Sequence, residues 1–222
     1  MAASDPDPEG TTPDFPWHVA SRLGEIDGEA RANVLRAAGI ALFYGTELAA
    51  YHGVALGSLG LSYARSALEH EVISLLAGAW ALLSLAVLAL VRRRFVPPAL
   101  KFLTTAGDLV LLTAILATSD GPKSPMIVGY LLVVVLAATR LSLPLVRAAT
   151  VGAGVSFLVL LGVARARDAA SPPRYHQLVF LLAIGFLGVM LGQLVRRARR
   201  VAEEYAERRE GERLDADEEG MA

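Results

Sequence analysis

The chain contains no cysteine and only four histidines among its 222 residues. Without cysteine there are no disulfides, no thiolate metal sites and no thiol redox switch. The histidines, at positions 18, 52, 70 and 176, are scattered rather than paired at metal-ligand spacing. The polar segments also lack a nucleophile–base set and a phosphate-binding loop. The sequence therefore predicts a protein that is not an enzyme and that uses neither a metal nor another cofactor.

An excess of charge of one sign is also missing. The net charge is −1, which gives no electrostatic reason to bind nucleic acid. Residues 1–16 are acidic and rich in proline, and they contain no Lys or Arg, unlike a secretory signal. We expect this segment to be a disordered tail. Residues 17–29 have two interpretations: an amphipathic helix at the membrane interface, with Trp17 as its anchor, or a solvated linker.

The most abundant feature is apolar sequence. Hydrophobic residues make up 54% of the chain, and the mean hydropathy is +0.47. A helix needs roughly 20 mostly apolar residues to cross a bilayer core about 30 Å thick. Six stretches meet this description: Ala32–Tyr51, Glu71–Val91, Ala99–Thr118, Pro125–Leu141, Pro144–Ala164 and Tyr175–Val195. The predicted fold is therefore all-α, a polytopic membrane protein with six transmembrane helices in three antiparallel hairpins.

The basic residues predict the orientation. With six spans both termini lie on one side, and thirteen membrane-proximal basic residues share that side: Arg22, Arg31, Arg36, Arg92, Arg93, Arg94, Lys101, Arg140, Arg147, Arg196, Arg197, Arg199 and Arg200. Five lie on the other side: Arg65, Lys123, Arg165, Arg167 and Arg174. Because Lys and Arg concentrate on the cytoplasmic side, we expect both termini to be cytoplasmic and the protein to lie in a bacterial plasma membrane.

These boundaries divide the chain into three parts. Residues 1–31 form the cytoplasmic N-terminal tail, 32–195 the membrane domain, and 196–222 a basic juxtamembrane helix with an acidic tail. The helix over Val201–Leu214 is predicted from strong helix formers and opposite charges at favourable spacing. Its heptad seam, Leu194, Ala198, Val201 and Tyr205, is too short for a stable coiled coil. The basic run before it predicts contact with anionic lipid in addition to the bilayer core.

Two carboxylates lie at membrane depth, where an ionisable group usually has a partner or a function. Glu47 shares one helical face with Tyr44 and Tyr51, and Asp108 lies in the third predicted span. One interpretation is an intramembrane ligand, ion or proton site of Tyr44, Glu47, Tyr51, Asp108 and Arg140. The other is structural, with Glu47 bonded to the tyrosines or protonated and Asp108 paired with Arg140 or Arg147. Their depths differ by about 8 Å, which argues against one shared cation.

Small residues recur in the last span. Gly188 and Gly192 form a GxxxG pattern with Gly185 nearby, and such stripes let two helices approach closely. The pattern has two interpretations, a homodimer interface or packing within one bundle. A second stripe, Ala148, Gly152 and Ser156, favours packing within the bundle.

Residues Asn33–Glu204 resemble the six-span input domains that precede catalytic domains in bacterial class III adenylate cyclases and some membrane histidine kinases. Three segments carry the resemblance: "RRRFVPPALKFLTTAGDLVLLT", "SDGPKSPMIVGYLL" and "RYHQLVFLLAIGFLGVMLGQLVRRARR". The resemblance implies a receptor-like dimeric domain that senses a lipophilic or membrane-borne cue. The family's catalytic domain does not follow Glu204, so we expect a membrane or cytoplasmic effector protein to receive the signal.

The sequence thus predicts a membrane sensor that signals through a partner protein. Two alternatives stay open. The first is a small transporter or carrier that uses Glu47 and Asp108, although broken helices and repeated halves are not evident. The second is a structural membrane protein without a ligand.

Overall fold

A computed structural model describes residues 15–53, 55–56, 59–60, 66–93, 97–168 and 171–221. Side chains within these ranges are described from residue 28 to 202 except at 55–56 and 59–60, together with those of Glu204, Tyr205 and Arg208. Of residues 1–16, predicted to be disordered, 1–14 therefore lie outside the described residues, whereas Phe15 and Pro16 begin a helix, so the prediction is wrong for these two. The interfacial role predicted for the side chain of Trp17 also lies outside the described side chains.

Six helices account for almost all of the described chain: α1 (Phe15–Tyr51), α2 (Ala67–Arg92), α3 (Leu100–Thr118), α4 (Gly129–Thr139), α5 (Leu143–Ala166) and α6 (Arg174–Met221). Between α1 and α2, the two-residue strands β1 (Ala55–Leu56) and β2 (Leu59–Gly60) pair antiparallel. Two 3-10 turns, Gly121–Lys123 and Pro125–Val128, lead into α4. The predicted all-α class is confirmed.

Four helices are long and apolar enough to cross a membrane: α2, α3, α5 and the Arg174–Ala202 part of α6. The apolar stretch Pro125–Thr139 is shorter, because a 3-10 turn occupies the start of the predicted fourth span. The first predicted span lies inside α1, where Arg36 and Glu47 lower the hydropathy. Four to five apolar helices thus fit a membrane protein, and the count of six spans stays a prediction.

Helix α3 packs against three other helices and α4 against four. The neighbours of α3 are α2, α4 and α5, while α1 packs on α2 and α4, and α6 on α5 and α4. Leu112, Leu116, Tyr130, Phe157 and Leu160 are among the fully buried side chains of the continuous core. Apolar side chains of α2, α5 and α6 also point outward, including Leu75, Leu82, Val151 and Phe186. Outward apolar faces of this kind suit contact with lipid.

The bundle has two distinguishable ends. We call the end that holds Arg140 and Leu141 the network end, and the opposite end, which holds Ser119 and Arg167, the distal end. Helix α6 begins at the distal end and passes the network end at Arg199, whose side chain contacts Leu141. It then continues without interruption to Met221. Both predicted boundaries, 31/32 and 195/196, therefore fall inside continuous helices, and the predicted helix Val201–Leu214 is only part of α6.

Candidate functional site

Most of the buried polar side chains gather toward the network end. They form two hydrogen-bonded clusters, which interact electrostatically and which we call together the polar network. One consists of Asn33 and Arg36 on α1, Trp80 and Ser84 on α2, and Asp108 on α3. The other consists of Glu29 on α1, Thr104 and Thr105 on α3, and Arg140 directly after α4. Two of its members are anionic and two are cationic when ionised. The network is therefore formally neutral, as a charged group inside an apolar bundle requires.

The ion pair of Arg36 and Asp108 is its deepest part. Arg36 Nε donates to Asp108 Oδ1 at 2.8 Å and to Oδ2 at 3.0 Å. The indole Nε1 of Trp80 donates to the same Oδ1 at 2.8 Å. The two charged side chains are only 1% and 3% exposed. Charge-assisted bonds from two helices therefore fix the Asp108 carboxylate between α1 and α2.

Asn33 extends this contact toward α2. Its Oδ1 accepts from Arg36 Nη1 at 2.9 Å and from Ser84 Oγ at 3.0 Å. Its Nδ2 donates to the carbonyl oxygen of Ser84 at 3.1 Å. The Arg36 guanidinium is thus oriented by a residue one helical turn earlier, and α1 is bonded to both α2 and α3.

Arg140 makes the second ion pair. Its Nη2 donates to Glu29 Oε1 at 2.8 Å and to Thr104 Oγ1 at 3.1 Å. Its Nη1 donates to the carbonyl oxygen of Lys101 at 2.9 Å and to Thr105 Oγ1 at 3.0 Å. One guanidinium therefore joins the start of α3, the end of α4 and α1.

The structure corrects the predicted partner of Asp108. That residue pairs with Arg36, whereas Arg140 pairs with Glu29, and Arg147 is exposed on α5. The reason is geometric. Arg140 follows the last turn of α4 and contacts the first turns of α3, while Asp108 lies about one turn deeper and faces α1 and α2.

Glu47 lies in different surroundings. Its side chain is buried, and it lines a cavity of about 20 Å³ together with Tyr44 and Trp80. This volume admits about one water molecule. Tyr44 Oη bonds Ser74 Oγ at 3.1 Å, and the exposed Tyr51 stacks on the His70 ring with centroids 3.8 Å apart. The predicted cluster is therefore divided: Tyr44 and Glu47 share a cavity, Asp108 and Arg140 belong to the network, and Tyr51 belongs to neither.

Trp80 separates the two surroundings. Its ring lines the Glu47 cavity, while its Nε1 is bonded to Asp108. Glu47 and Asp108, predicted to differ in depth, thus lie in different surroundings that meet at this indole.

The turn between α4 and α5 connects the network to α6. Leu141 has a φ of 49°, in the left-handed region, and it directly follows Arg140 at the end of α4. Arg199 Nε donates to the carbonyl oxygen of Leu141 at 2.8 Å. Two consecutive residues of this turn therefore have different partners. Arg140 binds the buried network through its side chain. Leu141 binds the segment of α6 that leaves the bundle through its carbonyl oxygen.

The glycines of α6 pack inside the chain. A Cβ on Gly188 would overlap the side chain of Thr150 on α5, and one on Gly192 would lie 3.4 Å from Leu143 Cδ1. Gly185 has open space at its Cβ position. The stripe therefore serves packing within the bundle, and the predicted homodimer finds no support in it. Gly152 of the second stripe likewise faces Leu109 on α3.

Sequence reasoning missed several members of the network, namely Glu29, Asn33, Arg36, Trp80 and Ser84. Arg36 was counted as a flanking basic residue, although it lies inside the first span. A signal was present, because the stripe of Tyr44, Glu47 and Tyr51 continues backward at helical spacing to Arg36, Asn33 and Glu29. Extending that face toward the start of α1 would have identified Arg36 as a cation that faces the bundle interior, where it can pair with an acid.

Comparisons with protein-family models, with curated proteins and with solved structures gave no match. The assignment of a function therefore depends on the geometry and the sequence.

Proposed function

We propose that this protein is a receptor-like domain of a bacterial plasma membrane that passes a change in its bundle to a partner protein through α6. The observation that carries the proposal is the length of this helix. It begins beside the distal end, packs on α5 and α4, and continues as one helix beyond the apolar stretch that ends at Ala202 to Met221. A continuous helix transmits rotation or displacement from one end to the other because its backbone is internally bonded.

In this proposal six helices cross the bilayer and both termini are cytoplasmic. Helix α1 contains charged residues within its apolar part. Its Glu29, Arg36 and Glu47 are all buried, and the first two are paired with basic or acidic partners on other helices. Charges that face the bundle interior and are paired there are those a spanning helix tolerates. The excess of basic residues at the network end supports its cytoplasmic orientation.

The α4–α5 turn supplies a physical route between bundle and output. A change in how α1, α3 and α4 meet at Arg140 acts on the adjacent Leu141, and the Leu141 carbonyl holds Arg199 of α6. The polar network would hold the helices in one arrangement. The hydrogen bond from Arg199 to Leu141 would couple the position of α6 to that arrangement. Two states that differ in this turn would present different faces of the α6 extension to a partner.

A carrier that uses Glu47 and Asp108 has less support. Both oxygens of Asp108 accept bonds from Arg36, and Trp80 lies between Asp108 and the small Glu47 cavity. Transport through these two residues would require the ion pair to open and the indole to move. Flux into proteoliposomes, abolished by Glu47→Gln or Asp108→Asn, would favour the carrier over the receptor.

The receptor proposal is tested by crosslinking in living cells. A photoreactive phenylalanine analogue replaces Tyr205, which is exposed on the α6 extension. We expect one discrete protein adduct. Arg199→Ala should change its yield severalfold because the bond to Leu141 is lost, whereas Arg200→Ala, an exposed arginine one position later, should not. Absence of any protein adduct, or equal effects of the two variants, would contradict the proposal.

A further inference from the structure

A groove at the distal end lies between α5, α6 and the two 3-10 turns, and it is separate from the polar network. Its volume is about 640 Å³, within the roughly 300–1,000 Å³ of small-molecule sites. Its walls are apolar and include Ile127, Val179 and the ring pair Phe157 and Phe180, whose centroids are 4.8 Å apart. A ligand in this groove would therefore have an apolar body.

Among the described residues that line the groove there is no acidic side chain. Of these residues Lys123 and His176 are the ionisable ones, and both are exposed. His176 lies in the first turn of α6, where unpaired N–H groups add partial positive charge. The carbonyl oxygen of Pro172 accepts a hydrogen bond from Gln177 Nε2 at 2.7 Å. The exposed Lys123 and His176 side chains are the groups of the rim that can donate to an anion. The head group that complements this rim is anionic.

A second cavity is relevant to where that head group would lie. Lys123 also lines a neighbouring polar cleft of about 570 Å³, whose walls include Glu69, Asp120 and Arg167. Its two acids are balanced by two bases, Lys123 and Arg167, so the cleft has no excess of positive charge that would compete for an anion. Since no acid is among the described residues that line the groove, we place the anion at the groove's own rim, where Lys123 and His176 are exposed.

We propose that the groove binds a single-chain carboxylate amphiphile, such as a long-chain fatty acid. The alkyl chain lies along Phe157 and Phe180, and the carboxylate meets Lys123 and His176. We infer one chain rather than two because the volume of about 640 Å³ lies within the range of small-molecule sites. The inference rests on the proposed function at one point only: the ligand is taken to cause the change that α6 transmits.

The test uses the full chain in phosphatidylcholine nanodiscs. Palmitate that carries a diazirine near the middle of its chain should bind saturably and crosslink to residues 179–183 on photolysis, because these residues lie within about 10 Å of His176 along α6. The double variant Lys123→Gln/His176→Gln should weaken binding about ten-fold or more, because two charge-assisted contacts are lost. Arg165→Gln is the matched control. It removes an exposed cation at the same end of α5 that does not line the groove, and it should leave binding unchanged.

Three results would overturn the inference: binding that does not saturate, equal loss in the double variant and in Arg165→Gln, or equal competition by methyl palmitate or phosphatidylglycerol. The last would show that the groove does not select a single-chain carboxylate. Binding is measured without a partner protein, so its failure leaves the Tyr205 crosslink as an independent result. Conversely, palmitate binding without a Tyr205 adduct would refute only the proposed output.

Discussion

At the scale of single residues, the network brings together charges that are far apart in the chain. Arg36 and Asp108 are separated by 72 positions, and Glu29 and Arg140 by 111. Each acid therefore has its partner only when α1 is packed against α3 and α4. A buried pair contributes little net free energy, but removing one partner leaves an uncompensated charge in an apolar interior.

Asp108→Asn should accordingly lower the free energy of unfolding by about 3–5 kcal/mol, because it leaves the Arg36 guanidinium without its counter-charge. Replacement of both partners, Arg36→Met with Asp108→Leu, should restore most of that loss. The measurement is equilibrium unfolding of the detergent-solubilised protein by a denaturing detergent. Asp168→Asn, the same chemical change at an exposed site, is the control. A loss no larger for Asp108→Asn than for this control would contradict the described ion pair.

Sequence reasoning reached part of this site. Asp108 and Glu47 were identified because a carboxylate at membrane depth is costly, and both side chains are buried in the structure. The partner of Asp108 was not identified, since pairing between helices depends on how they rotate and cross. Neither property follows from the spacing of residues within one helix. The contact of Trp80 was missed for the same reason, because an indole in an apolar stretch gives no sign of what its N–H meets.

At the scale of helices, the contact of α5 with α6 depends on one glycine. Gly188→Ala should lower the free energy of unfolding by about 1–3 kcal/mol, because the new methyl group overlaps Thr150. Gly185→Ala is the matched control. It lies one turn earlier with open space around it, so it should be neutral or slightly stabilising through helix propensity. Unfolding of both variants in the same detergent series measures the difference.

The homodimer interpretation makes a different prediction for Gly188→Ala and Gly185→Ala, because it concerns the dimer content rather than the free energy of unfolding. If the stripe joined two chains, both alanine variants would reduce dimer content, and the unfolding of the monomer would hardly change. Light scattering in nanodiscs beside the unfolding data would therefore decide between the two. Equal behaviour of Gly185→Ala and Gly188→Ala would contradict the packing described for α5 and α6.

The helices themselves were largely predictable, because long apolar runs between turn residues specify them directly. Two features were not. Helix α4 is shortened by the 3-10 turn at Pro125–Val128, which is set by the Ser124 side chain and by close packing of Gly129 on Leu112. The continuity of α6 was underestimated because its acidic end was predicted to be a solvated tail. In the structure the helix extends to Met221, in keeping with glutamate and arginine at spacings that support a helix.

At the scale of the whole molecule, the arrangement in the membrane follows from which end of the bundle each residue occupies. The chain lacks cysteine, so single cysteines can be introduced without background labelling. We expect an impermeant maleimide to label Ser66→Cys and Asp168→Cys on intact cells. Arg31→Cys and Arg93→Cys should react only after permeabilisation. All four positions are exposed.

This labelling pattern also decides whether α1 crosses the bilayer. Arg31 and Ser66 lie on either side of its apolar part, so a spanning α1 places them on opposite faces of the membrane. Labelling of both Arg31→Cys and Ser66→Cys on intact cells would show that α1 does not span, and it would refute the six-span arrangement.

The central claim is that α6 carries a change from the distal end to its extension beyond the network end. The most direct measurement is the spin–spin distance between labels on Arg93→Cys and Tyr205→Cys in nanodiscs. Ala183→Trp fills the distal groove without any ligand, and Leu182→Trp places the same ring on the exposed neighbouring position outside the groove. We predict that Ala183→Trp shifts the distance distribution, that Leu182→Trp does not, and that Arg199→Ala removes the shift. Identical distributions for the parent and Ala183→Trp would contradict transmission along α6.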